Sequence, residues 1–273
     1  MGTSEVDLIE GAEGPPVTAA DLSDDLDALG VATGGVLMVH TSLSRLGWVV
    51  GGAQAVVEAL LHTVGPDGTI VMPSHSTQLS EPADWGRPPV PAPWVPIIRD
   101  AQPAYHPQLT PTRMMGAVVE CFRHVPGARR SGHPQLSVTA HGPKADLITA
   151  EHPLADGLGE DSPLGRLYDL DARILLLGVD HRNNTSLHLA EYRAPFPGKR
   201  WVSNSAPVVV DGERQRLTYT ELDADDADFA RIGEAFASTG AEAQGRVGRG
   251  LGRLCTARAV VDFATNWMSR NRR

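Results

Sequence analysis

Thr185, His188 and Glu191 are spaced three apart in the run Gly178-Val-Asp-His-Arg-Asn-Asn-Thr-Ser-Leu-His-Leu-Ala-Glu-Tyr192. That spacing puts a hydroxyl, an imidazole and a carboxylate on one face of a helix. An imidazole beside a carboxylate can accept a proton near neutral pH. The apolar run Arg173-Ile-Leu-Leu-Leu177 comes just before, so the segment reads as a strand handing over to a helix. Active sites in α/β proteins commonly lie there. Two readings fit the spacing equally well: a general base held by a carboxylate or carbonyl, and a core histidine satisfied by Thr185.

Other chemistries fit less well. A metal could take His188 and Glu191, with His181 as a third ligand. The chain has no His-Glu-x-x-His run and no second helix with a matching pair, so no metal is expected. Ser42 has hydroxyl neighbours in Thr41 and Ser44 but lacks the Gly-x-Ser-x-Gly elbow of a serine nucleophile. Cys121 and Cys255 form no Cys-x-x-Cys pair and read as reduced, buried thiols. The run Gly245-Arg-Val-Gly-Arg-Gly-Leu-Gly252, with Arg246, Arg249 and Arg253, could present N–H groups and arginine to phosphate. It has no Walker lysine, and a loop that needs positive φ explains its glycines equally well.

The elements that position these groups are legible. Thr18 caps a helix over 19–29 that stops at Gly30. Residues 35–39 and 69–72 are wholly apolar strands around a helix at 53–64, a βαβ unit that implies parallel pairing. Helices are expected at 113–125, 143–150, 161–170, 229–238 and 256–270. Residues 131–140 suggest a turn and strand, and 208–219 a hairpin around Asp211-Gly212. The proline-rich stretch Pro73–Pro111 shows no sustained period and reads as an ordered loop over the site. The order implies an α/β fold with an antiparallel addition.

The chain has 273 residues, 41% of them apolar and 5% aromatic, which favours layered helices and sheet. A net charge of −9 argues against binding to a nucleic-acid backbone and suits a polycationic small molecule, though many acidic proteins share it. The first residues form no signal peptide, and no apolar run approaches the ~20 residues needed to span a bilayer. A cytoplasmic enzyme with no membrane partner is expected.

Four ordered segments carry a family resemblance. The first is Val39-His-Thr-Ser-Leu-Ser-Arg-Leu-Gly47 with the helix and strand that lead to Ser74. The second is Arg130-Ser-Gly-His-Pro134 with Ser137, and the third runs from His152-Pro153 to Gly159-Glu-Asp-Ser-Pro163. The fourth holds Thr185, His188, Ala190 and Glu191; Gly245-Arg-Val-Gly248 and its helix are also similar. From about Leu22 to Trp267 the chain resembles the aminoglycoside 3-N-acetyltransferases, the antibiotic N-acetyltransferase family.

The resemblance implies one catalytic domain over 1–273, with an insertion at 73–111 and a substrate-side hairpin and helix at 200–240. It implies a layered α/β fold with a mixed sheet, distinct from GNAT acetyltransferases. The implied reaction moves an acetyl group from acetyl-coenzyme A to the 3-amino group of a deoxystreptamine ring. His188 would be the base, Glu191 would hold it or the substrate, and Thr185 or the Thr41–Ser44 loop would face the oxyanion. Thr41, Ser42, Gly47, Ser74, Arg130, Ser131 and His133 would bind coenzyme A. Asp180, His181, Glu221, Asp223 and Asp225 would bind the cationic amine, with Asp156 and Glu160 behind them. The acidic run 221–226 reads equally well as a cap on the next helix. The resemblance leaves room for a different acceptor amine in natural-product metabolism and for a homodimer.

Overall fold

The computed structural model describes residues 5–11, 14–86 and 88–273. Its first elements are helices α1 (Glu5–Glu10) and α2 (Ala19–Leu29), strand β1 (Val36–Thr41), helix α3 (Gly52–Val64) and strand β2 (Thr69–Pro73). Thr18 accepts the N–H of Asp21, and Asp21 accepts the N–H of Thr18, so α2 starts at a closed capping box. After these come α4 (Trp94–Ala101), α5 (Ala117–Phe122), β3 (Arg129–Arg130), β4 (Val138–His141), α6 (Ala145–Thr149), α7 (Pro163–Asp169) and β5 (Arg173–Leu177). The rest is α8 (Ser186–Arg193), the hairpin β6 (Trp201–Val210) and β7 (Glu213–Leu222), α9 (Phe229–Ala237), β8 (Ala243–Val247), β9 (Gly250–Thr256) and α10 (Ala257–Asn271).

Seven strands form one mixed sheet in the order β3-β4-β2-β1-β5-β9-β8. The three apolar strands β2, β1 and β5 are parallel and central, and β4 and β9 flank them antiparallel. Alternate residues of the central strands enter opposite layers. Met38, Ile174 and Leu176 pack with α6, α7, α8, α9 and α10, while Leu37, Val39, Leu175 and Leu177 pack with α2, α3 and α5. A sheet covered on both faces explains why these strands are apolar throughout.

Three expectations need correction. The glycine-rich run 245–252 is not a loop before a helix but the β8–β9 hairpin at the sheet edge. Glycine is needed there because the partner strand and α2 both lie close: a Cβ on Gly252 would stand 2.7 Å from Val247 and 2.9 Å from Leu29. The helix expected at 113–125 shrinks to α5, because Met114 (φ 59°) and Gly116 (φ 85°) hold the chain in left-handed backbone. The 73–111 stretch contains α4 and two 3-10 turns, Thr77–Leu79 and Pro82–Asp84. It is pinned to the β6–β7 hairpin by Tyr105 N to Pro207 O at 3.0 Å, Ser205 Oγ to Glu81 Oε2 at 3.0 Å, and Arg214 Nε to Gln102 O.

Candidate active site

The chain leaving β1 crosses toward β2 on one side, while β5 lies on the other, so the strand ends open a crevice. A cleft of about 870 Å³ occupies it. Its walls are Thr41–Arg45 after β1, residues 114–118, Gly178–Asp180 with Arg182 and Asn183 after β5, and Arg249–Leu251 with Arg253 from the β8–β9 hairpin. Gly178 (φ 65°) lets the two strand ends meet, since a Cβ there would lie 2.5 Å from that of Arg45. Four arginines, 45, 182, 249 and 253, give this cleft a basic lining on an acidic protein. Guanidinium groups suit phosphate. The Thr41 hydroxyl is buried without a hydrogen-bond partner among the described residues.

Asp180 belongs to the cleft wall, where a hydrogen bond from Arg182 holds its carboxyl below the ordinary range. Arg253 is fixed from behind: its Nη1 meets Glu242 Oε1 at 2.9 Å, and Glu242 Oε2 meets His181 Nε2 at 2.6 Å. Burial pushes Glu242 up, but hydrogen bonds from His181, Gln244 and Arg253 outweigh it and leave the carboxyl below its ordinary value. His181, placed by the sequence among the substrate contacts, is 2% exposed under α9 and holds this internal network.

His188 does not line the 870 Å³ cleft. It stands further along α8, with 19% of its side chain open and its ring 4.8 Å from that of Phe229. Its Nδ1 lies 2.5 Å from Glu191 Oε2. Glu191 is 1% exposed; its other oxygen takes the N–H of Asp225 at 3.0 Å and Arg272 Nη1 at 2.5 Å. A carboxylate on Nδ1 fixes the tautomer in which Nε2 is the proton acceptor. Thr185 sits at the start of α8, and the contact it makes to His188 is through its backbone carbonyl. His40, near the end of β1, and His75, after β2, each bury an Nε2 with no partner among the described residues, and burial pushes both rings down to about 3.

The structure separates the other expected contacts. Thr41 and Ser42 line the cleft; Gly47 does not, and instead lies against Arg249 in a smaller neighbouring groove. Ser74, Ser131 and His133 are at most 1% exposed, so a cofactor reaches none of them while the wall stays closed. Ser74 Oγ meets Thr139 Oγ1, Ser131 Oγ donates toward His152 Nδ1, and His133 Nδ1 accepts the N–H groups of Gln135 and Leu136. Arg130 spends its donors on Ser137 Oγ, Ser76 Oγ and the carbonyls of Ser74, Pro107 and Thr110, stapling the 73–111 segment to β3. Glu221 accepts from Asn204, and burial raises its carboxyl; Asp223 pairs with Arg200, and Asp225 accepts the N–H of Ala227. Among the described residues no group of three His, Cys, Asp or Glu side chains could hold a metal ion. No helix among them is long and apolar enough to cross a membrane.

Residues 38–269 match the family model described as aminoglycoside 3-N-acetyltransferase. The chain belongs to the aminoglycoside 3-N-acetyltransferase family. It is an acyltransferase with that family's fold, not the GNAT fold. The SPbeta prophage-derived aminoglycoside N(3')-acetyltransferase-like protein YokD of Bacillus subtilis is 45% identical over 94% of each chain. The YokD crystal structure superimposes with a TM-score of 0.94, covering 97% of this chain and 98% of that one. Aminoglycoside N(3)-acetyltransferase VII of Streptomyces paromomycinus is 37% identical over 97% of this chain and 95% of its own. The structure of AAC-IIIb in binary complex with CoASH matches at 33% identity and a TM-score of 0.83, over 94% of this chain and 97% of that one.

Sequence reasoning missed Arg45, Arg182 and residues 114–118 of the cleft, and Glu242 and Arg272 behind it. Arg249 and Arg253 carried the one usable signal, arginines set among glycines. Glu242 lies 61 residues from His181 and Arg272 lies 81 from Glu191, and no local pattern marks either pair.

Proposed function

We propose that this chain transfers an acetyl group from acetyl-coenzyme A to the 3-amino group of an aminoglycoside, with His188 as general base. The observation that carries the reading is the 2.5 Å contact between His188 Nδ1 and a Glu191 carboxylate that is itself clamped and buried. Acetyl-coenzyme A, when bound, supplies an activated thioester. Arg45, Arg182, Arg249 and Arg253 would meet its phosphates, and the Thr41 hydroxyl and Ser42 would face its arm as it runs toward the base. His188 Nε2 takes the proton that the acceptor amine sheds as it attacks; help of this kind is worth about 10²–10⁴-fold. Donors from the Thr41–Ser44 loop or Thr185 face the oxygen that gains charge. The base needs no covalent partner, so donor and acceptor must be held together. The net charge of −9 favours a polycationic acceptor, and Asp180 brings a carboxylate to the mouth of the cleft.

The test is thiol release with acetyl-coenzyme A and a panel of deoxystreptamine aminoglycosides. Release with members of the panel, reduced at least ~100-fold by His188→Ala, is the expected result. Near-wild-type turnover in that variant removes the base from His188. Silence across the panel, with release on another amine, moves the acceptor to a different class.

A further inference from the structure

We propose that Arg272 is a positioning residue of the transferase: it clamps the Glu191 oxygen that His188 leaves free and offsets that carboxylate's charge, so that the ring remains a competent base. The inference rests on the reading of His188 as the base. Arg272 lies just past α10 and three residues beyond the stretch that the family model matches. Its own N–H caps the helix on Met268 O at 3.0 Å.

The side chain reaches into the site with defined geometry. Nη1 meets Glu191 Oε1 at 2.5 Å. Nε and Nη2 meet the two oxygens of Asp228 at 2.9 and 2.6 Å, and Nη2 also donates to Asp225 O at 2.7 Å. The guanidinium thus binds one carboxylate bidentately and a second end-on, which a single ammonium group cannot reproduce. Its side chain is 11% exposed, and its guanidinium carbon lies 5.0 Å from the Phe196 ring centroid. Burial alone would ease the proton off Arg272, but Asp228 and Glu191 outweigh it and drive its proton affinity above the ordinary value.

The charges around His188 give this clamp a consequence. Glu191 faces the ring from α8, and Asp225 and Asp228 come from the segment before α9. His75, after β2, is held neutral by burial, and Lys199, after α8, lies near Glu191 with its ammonium on the carbonyls of Tyr192 and Ala194. With Arg272 in place, Glu191 and Asp228 carry one net negative charge; without it they carry two. A more negative cluster holds a proton on the imidazole, and a protonated imidazole cannot act as the base.

The experiment compares Arg272→Met, Arg272→Gln and Arg272→Lys in the full chain. Two readouts are followed: the ring-proton NMR titration of His188 in the free protein, and the acid limb of kcat/KM in the thiol-release assay. Removing one elementary charge that stands one carboxylate away from the ring, with an effective dielectric constant of ~20–80, moves both midpoints up by about 0.5–1.5 pH units. The expected result is this rise in the Met and Gln variants and a near-wild-type midpoint in the Lys variant. In all three kcat falls while KM for acetyl-coenzyme A holds, because Arg272 is not a wall of the cleft. The Gln variant keeps a donor for Glu191 and stands in if the Met variant does not fold. An unmoved His188 titration in the Met or Gln variant overturns the proposal. If His188→Ala keeps its turnover, the reading of the base fails instead, and the ring titration still decides what Arg272 does to His188.

Discussion

Glu191 and His188 should respond differently to truncation, because one is buried and clamped and the other is partly exposed. Glu191 accepts from the His188 ring, the Asp225 N–H and Arg272, at 1% exposure. Glu191→Gln removes the charge that pairs with Arg272, and the loss of a charged hydrogen bond should cost about 1.5–3 kcal/mol in urea unfolding as well as turnover. His188→Ala removes a ring that is partly solvated, so it should cost turnover with a small change in stability. Equal stability losses for the two variants would mean that the ring is mainly a packing element. The spacing of 185, 188 and 191 made this dyad legible in sequence, since helical periodicity fixes which side chains meet. Spacing could not choose between base and core histidine, and the proposal of a base rests on Glu191 being gripped by residues 34 and 81 positions away. The expected cofactor contacts at Ser74, Ser131 and His133 went inside for a related reason. Polar residues beside turns read as open, whereas here they bond one another and satisfy the backbone of the wall.

The β8–β9 hairpin shows where element-level reading succeeds and where it stops. The central strands were legible because a strand covered on both faces must be apolar. The hairpin's four glycines hid a strand pair, because their packing constraint comes in part from Leu29 on α2, far away in sequence, as well as from Val247 on the partner strand. The same constraint yields a graded prediction. A Cβ on Gly252 would lie 2.7 Å from Val247 and 2.9 Å from Leu29, whereas one on Gly245 would meet only Leu29, at 3.3 Å. Gly252→Ala should therefore destabilise by about 1–3 kcal/mol, the usual cost of overpacking, and Gly245→Ala by less. The next residue, Arg253, lines the cleft, so KM for acetyl-coenzyme A should rise in the Gly252 variant and hold in the Gly245 variant. Urea unfolding and acetyl-coenzyme A titration check both; indistinguishable variants would show that the contact with α2 does not constrain the hairpin.

The histidines at and behind the sheet's central edge make the folded molecule sensitive to acid. Burial, their largest cause in each case, pushes His40, His75 and His133 down to about 3 and His152 to about 4, from an ordinary 6.5. The His133 and His152 rings lie 4.9 Å apart, His152 further lowers His133, and His188 and His40 further lower His75. Below pH 6.5 the unfolded chain takes up protons that the folded chain refuses, so stability is full above that pH and falls as the pH drops toward 3–4. Each such ring contributes a slope of up to about 1.4 kcal/mol per pH unit. Glu120, which a hydrogen bond from Arg123 holds at about 2, loses its contribution only below its ordinary 4.5. Asp156 and Glu221, raised by burial, oppose the trend because they gain protons first in the folded chain. The interval from pH 7.5 to 5.5 brackets the ordinary histidine value and lies above the ordinary carboxylate values, so the histidines dominate it. Unfolding free energy measured in urea should fall by several kcal/mol across it, about 1.4 for each buried ring. A flat profile would show that these rings are protonated, or hydrated, in the native molecule, and that His75 does not stand neutral beside His188.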